Sequence, residues 1–211
     1  MDSGLAAVTE PRNDEIELVD RLRSGDEGAF TALVNAHHGA LIRLALTFVS
    51  DRGAAEEVVQ DTWIGVLRGL PAFEGRASLK TWIFRILVNR ARTRGARDGR
   101  FVAVTPAPDA DLDDLAGRFD AAGSWTQPPT PWADNTPEGL LLRGEVLSVV
   151  KDQIERLPPG QRAVLTLRDV EGASAEEVCN VLAISETNQR VLLHRARTKV
   201  RAALEQHLTR R

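Results

Sequence analysis

Tyrosine is missing from this 211-residue chain, cysteine occurs once, and aromatic residues make up only 5% of it. A lone Cys179 cannot build a disulfide framework or a zinc ribbon within the chain, and on the inner side of a short helix it reads as a buried structural thiol. The lack of Tyr and of alternating β-branched residues points to helices rather than sheets. Long apolar runs are also absent: Leu41 to Val49 is the longest, contains Arg43, and is too short to span a bilayer. The N-terminus is polar and acidic, without a signal-peptide pattern, so the expectation is a cytoplasmic protein with no membrane insertion. No nucleophile–base set, glycine-rich phosphate loop or metal-ligand spacing is present. His37 and His38 are adjacent, and Glu56 and Glu57 likewise, so each pair diverges on a helix. No enzyme, cofactor or metal is expected.

Net positive charge is lacking too, at −3 overall, but the charges are segregated. Glu74 to Arg100 holds eight cations against two acids, Phe101 to Glu138 holds seven acids against Arg118, and Ser185 to Arg211 holds seven cations against Glu186 and Glu205. Two basic blocks flanking an acidic one suit an extended anionic partner.

What is present is organised around Gly172 to Leu204. Ser174 followed by Glu177 forms a capping box, so a helix starts there with Val178, Val181 and Leu182 on one face. Ala183-Ile184-Ser185 breaks the pattern, and Ser185 caps a second helix with Glu186 at its positive end. That helix carries Leu192, Leu193, Ala196, Val200, Ala203 and Leu204 on one side. Asn188, Gln189, Arg190, His194, Arg195, Arg197, Lys199 and Arg201 remain, a mixture of base-reading amides and phosphate-seeking cations. This is the layout of a helix-turn-helix whose second helix enters the major groove, as against an amphipathic hairpin with a merely solvated basic face.

From the N-terminus, residues 1–14 read as a disordered leader. A short helix follows over Glu15 to Arg23. Asp26 caps the next, which runs to near Ser50, and Asp51 caps a third with Val59, Trp63, Val66 and Leu67 inward. After the loop Leu70 to Ala77, Ser78 caps a helix to about Arg97 with Leu79, Trp82, Ile83, Ile86 and Leu87 inward and arginines outward; Trp82 reads as a core anchor. Residues 101–135 are Pro-rich, acidic linker composition including Trp125 to Trp132. Thr136 caps a helix with Pro137 at its first position, reaching Leu157, and Gln161 to Val170 leads to the hairpin. The expected fold is all-α, with two small helical domains, 15–100 and 136–207, joined by a flexible linker.

Gly25 to Arg94 resembles region 2, and Leu157 to Leu204 region 4, of the extracytoplasmic-function sigma factors, in the family's order and with its linker between. The resemblance implies a bacterial transcription initiation factor that binds core RNA polymerase, through the beta-prime clamp and beta flap, and promoter DNA. It implies that Glu57, Gln60, Asp61 and Trp63 face the clamp. Phe73, Arg76, Ser78, Lys80, Arg85, Asn89 and Arg90 would capture and melt the minus-ten element, for which unpaired bases must be held. Arg190, Val191, His194 and Arg195 would lie nearest the minus-thirty-five bases, with Arg197 and Lys199 on phosphates and Thr187, Asn188 and Gln189 also among the DNA-binding residues. Thr187, Asn188 and Gln189 replace the family's Gly-Thr-Val turn, and Val191-Leu192 replace its small residue and Arg. No sensor ligands are visible, so regulation is expected from another protein such as an anti-sigma factor. A free-standing repressor or activator using the same hairpin is the rival reading.

Overall fold

The computed structural model describes residues 10–99 and 137–209, with side chains described for 14–99 and 144–207. All regular structure among the described residues is helical, as expected of an all-α chain. The leader before Glu10, the linker 101–135 with its tryptophans, and the Thr136 cap lie outside the described residues. The described residues fall into two compact units, one built mainly from residues 10–99 and the other mainly from residues 137–209.

The first unit holds α1 (Glu10–Arg23), α2 (Glu27–Ala45), α3 (Arg52–Gly69) and α4 (Leu79–Arg97), with a 3-10 turn at Leu70–Ala72. α1 starts five residues earlier than the apolar period suggests, because Pro11 in the first turn removes only an N–H that would have no helical partner. Local chemistry sets the other starts. Asp26 accepts from Ala29 N–H, Asp51 from Ala54 N–H and Ser78 from Thr81 N–H. Those backbone bonds, above all, hold both Asp carboxyls below the usual range.

α2, α3 and α4 pack on one another around Leu41, Leu44, Phe48, Val59, Val66, Ile83, Phe84 and Leu87, all essentially without exposed surface. His37 sets its ring edge-on to Phe84 at 6.2 Å, a packing role. Three inward assignments change. Leu67 is half exposed and Thr62 is buried in the α3 core, its hydroxyl donating to Val58 O at 2.7 Å. On α4, Phe84 and Val88 are fully buried, whereas Trp82 and Ile86 are half-buried.

The second unit holds α5 (Pro137–Arg156), α6 (Pro159–Leu165), α7 (Ala175–Leu182) and α8 (Glu186–Thr209), and α8 packs on both α5 and α6. α6 ends in a π turn over Thr166–Val170 rather than continuing as one α-helix, with Glu171 N–H donating to Thr166 O at 2.9 Å. Both bonds of the Ser174–Glu177 capping box are made, at 3.1 and 2.8 Å. Ser185 Oγ accepts from Asn188 N–H at 3.2 Å, opening α8.

The turn between α7 and α8 passes through Ala183 at φ 53°, ψ 53°, the left-handed conformation that a Cβ disfavours. Ala183→Gly should therefore stabilise the second unit by about 0.5–1 kcal/mol, the relief exceeding the entropy of a more flexible unfolded chain. Urea unfolding of the two proteins checks this, and an unchanged or lower midpoint counts against it.

Candidate nucleic-acid interface

In the first unit the surface of α3 carries Glu57, Gln60, Asp61, Ile64, Leu67 and Arg68, a face repeating at three and four residues. Ile64 and Leu67 stand 40% and 50% exposed among these polar groups. Trp63 is turned the other way, 8% exposed and edge-on to Phe30 at 5.8 Å. A side chain in that position steadies the face from beneath and offers a partner little surface.

On α4, Arg85, Asn89, Thr93 and Arg97 are exposed and follow one another at four-residue spacing, a single stripe. Arg90 lies beside it, half-buried, and its guanidinium runs over Gly65 of α3: a Cβ there would fall 2.5 Å from Nη2. Arg94 donates to Glu57 at 2.6 Å and to Asp98 at 3.2 Å, tying the acidic face of α3 to the basic face of α4. Lys80 is off the stripe, its ammonium 5.8 Å from the Phe84 ring centre.

The loop before α4 divides its residues between core and surface. Phe73 is 9% exposed and stacks tilted on Trp82 at 4.9 Å. Arg76 is exposed and pairs with Glu74, while half-buried Ser78 caps α4. Beneath Phe73 to Ser78 lies a cavity of about 780 Å³, completed by α1 residues including Ile16, Val19 and Arg23.

In the second unit, burial sorts the residues of α8. Gln189 and Asn188 are 2% and 8% exposed. Gln189 precedes Leu192, Leu193 and Ala196 by three, four and seven residues and so shares their core stripe. Thr187, Arg190, Val191 and His194 form the opposite line at the same spacing: Thr187 and Arg190 are exposed, Val191 and His194 half-buried. Burial first, then the charges of Arg197 and Arg195, hold the His194 imidazole below its usual range. It is therefore neutral at pH 7, a hydrogen-bonding group rather than a phosphate-seeking cation. Arg197 is 17% exposed and gives Nε and Nη2 to the two oxygens of Asp169, at 2.9 and 2.7 Å. This fork, expected on phosphates, instead binds α8 to the π turn. Lys199 is exposed on the flank that also carries Asn188 and half-buried Arg195.

Sigma-70 region 2 matches residues 33–101 and sigma-70 region 4 matches residues 148–200. The RNA polymerase sigma-H factor of Pseudomonas aeruginosa is 31% identical over 90% of this chain and 93% of its own length. The chain belongs to the extracytoplasmic-function group of the sigma-70 family. The sigma-E factor of Escherichia coli (strain K12) is 30% identical, covering 92% of this chain and 95% of its own. Two solved structures share the sigma fold at a TM-score of 0.55. CnrH, in complex with the cytosolic domain of CnrY, is 24% identical, covering 90% of this chain and 97% of its own; RpoE from Bartonella quintana, in complex with the anti-sigma factor NepR, is 23% identical, covering 83% and 96%.

As an alternative sigma factor, the protein binds core RNA polymerase and directs promoter recognition, DNA melting and transcription initiation. Among the described residues, no helix of this sigma factor is long and apolar enough to cross a membrane. The apolar period of α3 counts Leu67 as core and gives Ile64 no place, so the sequence marks neither as surface. Asp169 stands 28 residues from Arg197, beyond the reach of any local pattern.

The burial of Gln189 and the exposure of Arg190 separate two outcomes. Gln189→Ala should destabilise the second unit by about 1–3 kcal/mol, as expected when a buried polar side chain is removed. Arg190→Ala should leave stability within about 0.5 kcal/mol. Chemical denaturation reads both, and equal losses would contradict the placement.

Proposed function

We propose that the sigma factor divides its work among three surfaces. The face of α3 with Glu57, Gln60 and Asp61, extended by Ile64 and Leu67 and backed by Trp63, docks on the beta-prime clamp. The loop Phe73 to Ser78 takes an unpaired base of the minus-ten element. Arg85, Asn89 and Arg90 hold the strand's phosphates beside it, with Arg76 and Lys80 at the margin. α8 enters the major groove of the minus-thirty-five element. There Thr187, Arg190, Val191 and His194 lie nearest the bases, Arg195 and Lys199 on the backbone, and Asn188, Gln189 and Arg197 set the helix in place. The second unit also rests on the beta flap. An anti-sigma protein in the cytoplasm covers one or both units, a reading supported by the NepR complex of a protein with the same fold.

The observation that carries the reading is the line Thr187, Arg190, Val191 and His194, opposite a core stripe that fixes which way it points. Only a side chain aimed at the groove can discriminate bases. Arg190→Ala should cost about 1–3 kcal/mol at promoters whose upstream element carries its preferred base and little elsewhere. Run-off transcription by the reconstituted holoenzyme on mapped promoters, with single changes in the upstream element, measures this. A loss equal on all sequences and shrinking with added salt would make Arg190 a phosphate contact instead.

A further inference from the structure

The cavity under the loop Phe73 to Ser78 has one wall that belongs to neither the loop nor α4. α1 supplies it, and α1 also fixes both ends of the loop. Near its C-terminus, Arg23 donates Nη2 to Phe73 O at 2.5 Å and Nε to Leu70 O at 3.3 Å, gripping the carbonyls at either end of the 3-10 turn. Its Nη1 rests 3.4 Å from Asp20, one turn back, which orients the guanidinium. Eight residues earlier, Glu15 Oε1 accepts from Leu79 N–H at 2.6 Å, satisfying an orphan donor in the first turn of α4. Eight helical residues rise about 12 Å, so the two anchors stand at opposite ends of the span between Phe73 and Leu79. Between them Glu74 to Ala77 bow outward through Gly75 at φ +68°. The space left beneath is floored by Ile16 and Val19.

We propose that Glu15 and Arg23 are positioning residues for promoter opening: they hold the loop bowed and the cavity open, so that a base leaving the duplex finds its site already formed. This rests on the reading that the loop takes an unpaired base. Each nitrogen of the Arg23 guanidinium has a protein partner, and two of these partners are the carbonyls that flank the loop, so the role proposed for it is geometric. A loop closed by its own chain alone would have to be ordered at the moment of capture, and that ordering entropy would oppose opening.

The test uses the full chain assembled with core polymerase and a labelled single strand copied from the nontemplate strand of a mapped promoter. Arg23→Ala and Glu15→Ala should each weaken strand binding roughly tenfold, the loss of about one charge-assisted hydrogen bond. Glu15→Gln, which keeps an oxygen to accept from Leu79 N–H, should bind the strand like the wild type, and all variants should keep wild-type affinity for core enzyme. Unchanged strand binding in both alanine variants overturns the proposal. So does a strand loss matched by an equal loss of core binding, or a Glu15→Gln variant as weak as Glu15→Ala. If the wild-type holoenzyme holds the strand no better than core enzyme does, and Arg76→Ala and Ser78→Ala change nothing, the loop itself is misread and the proposal falls with it.

Discussion

Burying an apolar stripe on a helix fixes where the rest of its side chains point, and this constraint organises both units. Ile83, Leu87 and Ala91 leave no exposed surface on α4, so Arg85, Asn89 and Arg97 must face outward. Gln189, Leu192, Leu193 and Ala196 do the same for α8, and Thr187 and Arg190 are turned to solvent. Hydrophobic burial, worth about 25 cal/mol per Å², thereby aims cations that contribute little to stability themselves. A helix that held its cations in the core would lose both its packing and its access to DNA.

Charge pairing refines that division. The Arg94–Glu57 and Arg190–Glu186 pairs are exposed on both sides, so the pairs are weak and each cation can leave its carboxylate for another acceptor at small cost. Arg197 differs, being mostly buried and bonded through two nitrogens to Asp169, and it acts as a fastener between α8 and the π turn. The same residue type thus serves two ends, and its exposure separates them. Formal charge along the sequence does not.

Local features of the fold were legible in the sequence. Asp26, Asp51, Ser78, Ser174 and Ser185 each cap within three residues, and the helices follow from those caps with the apolar period. Reading α8 by residue type put Gln189 on the DNA face, although its spacing from Leu193 and Ala196 already placed it on the core stripe. Trp63 and Leu67 are one turn apart and both apolar. The apolar period puts both inward, but only Trp63 is covered, by Phe30 across the bundle, while Leu67 stays half exposed, and nothing in the α3 sequence separates the two. The remaining gaps are long-range. Arg23 meets carbonyls 47 and 50 residues away and Glu15 an N–H 64 residues away, so no local pattern announces α1 as a wall of the cavity.

The proposed division of work uses two cation faces, one for the melted strand and one for the upstream duplex. Footprinting of the holoenzyme on one mapped promoter tests this most directly, with hydroxyl radicals reporting the upstream duplex and permanganate the unpaired thymines. Arg190→Ala should remove upstream protection while thymine reactivity persists once the complex has formed, and Arg85→Ala should lower thymine reactivity while upstream protection stays. If either single change erased both signals together, the two faces would not be acting on separate parts of the promoter, and the account would be wrong.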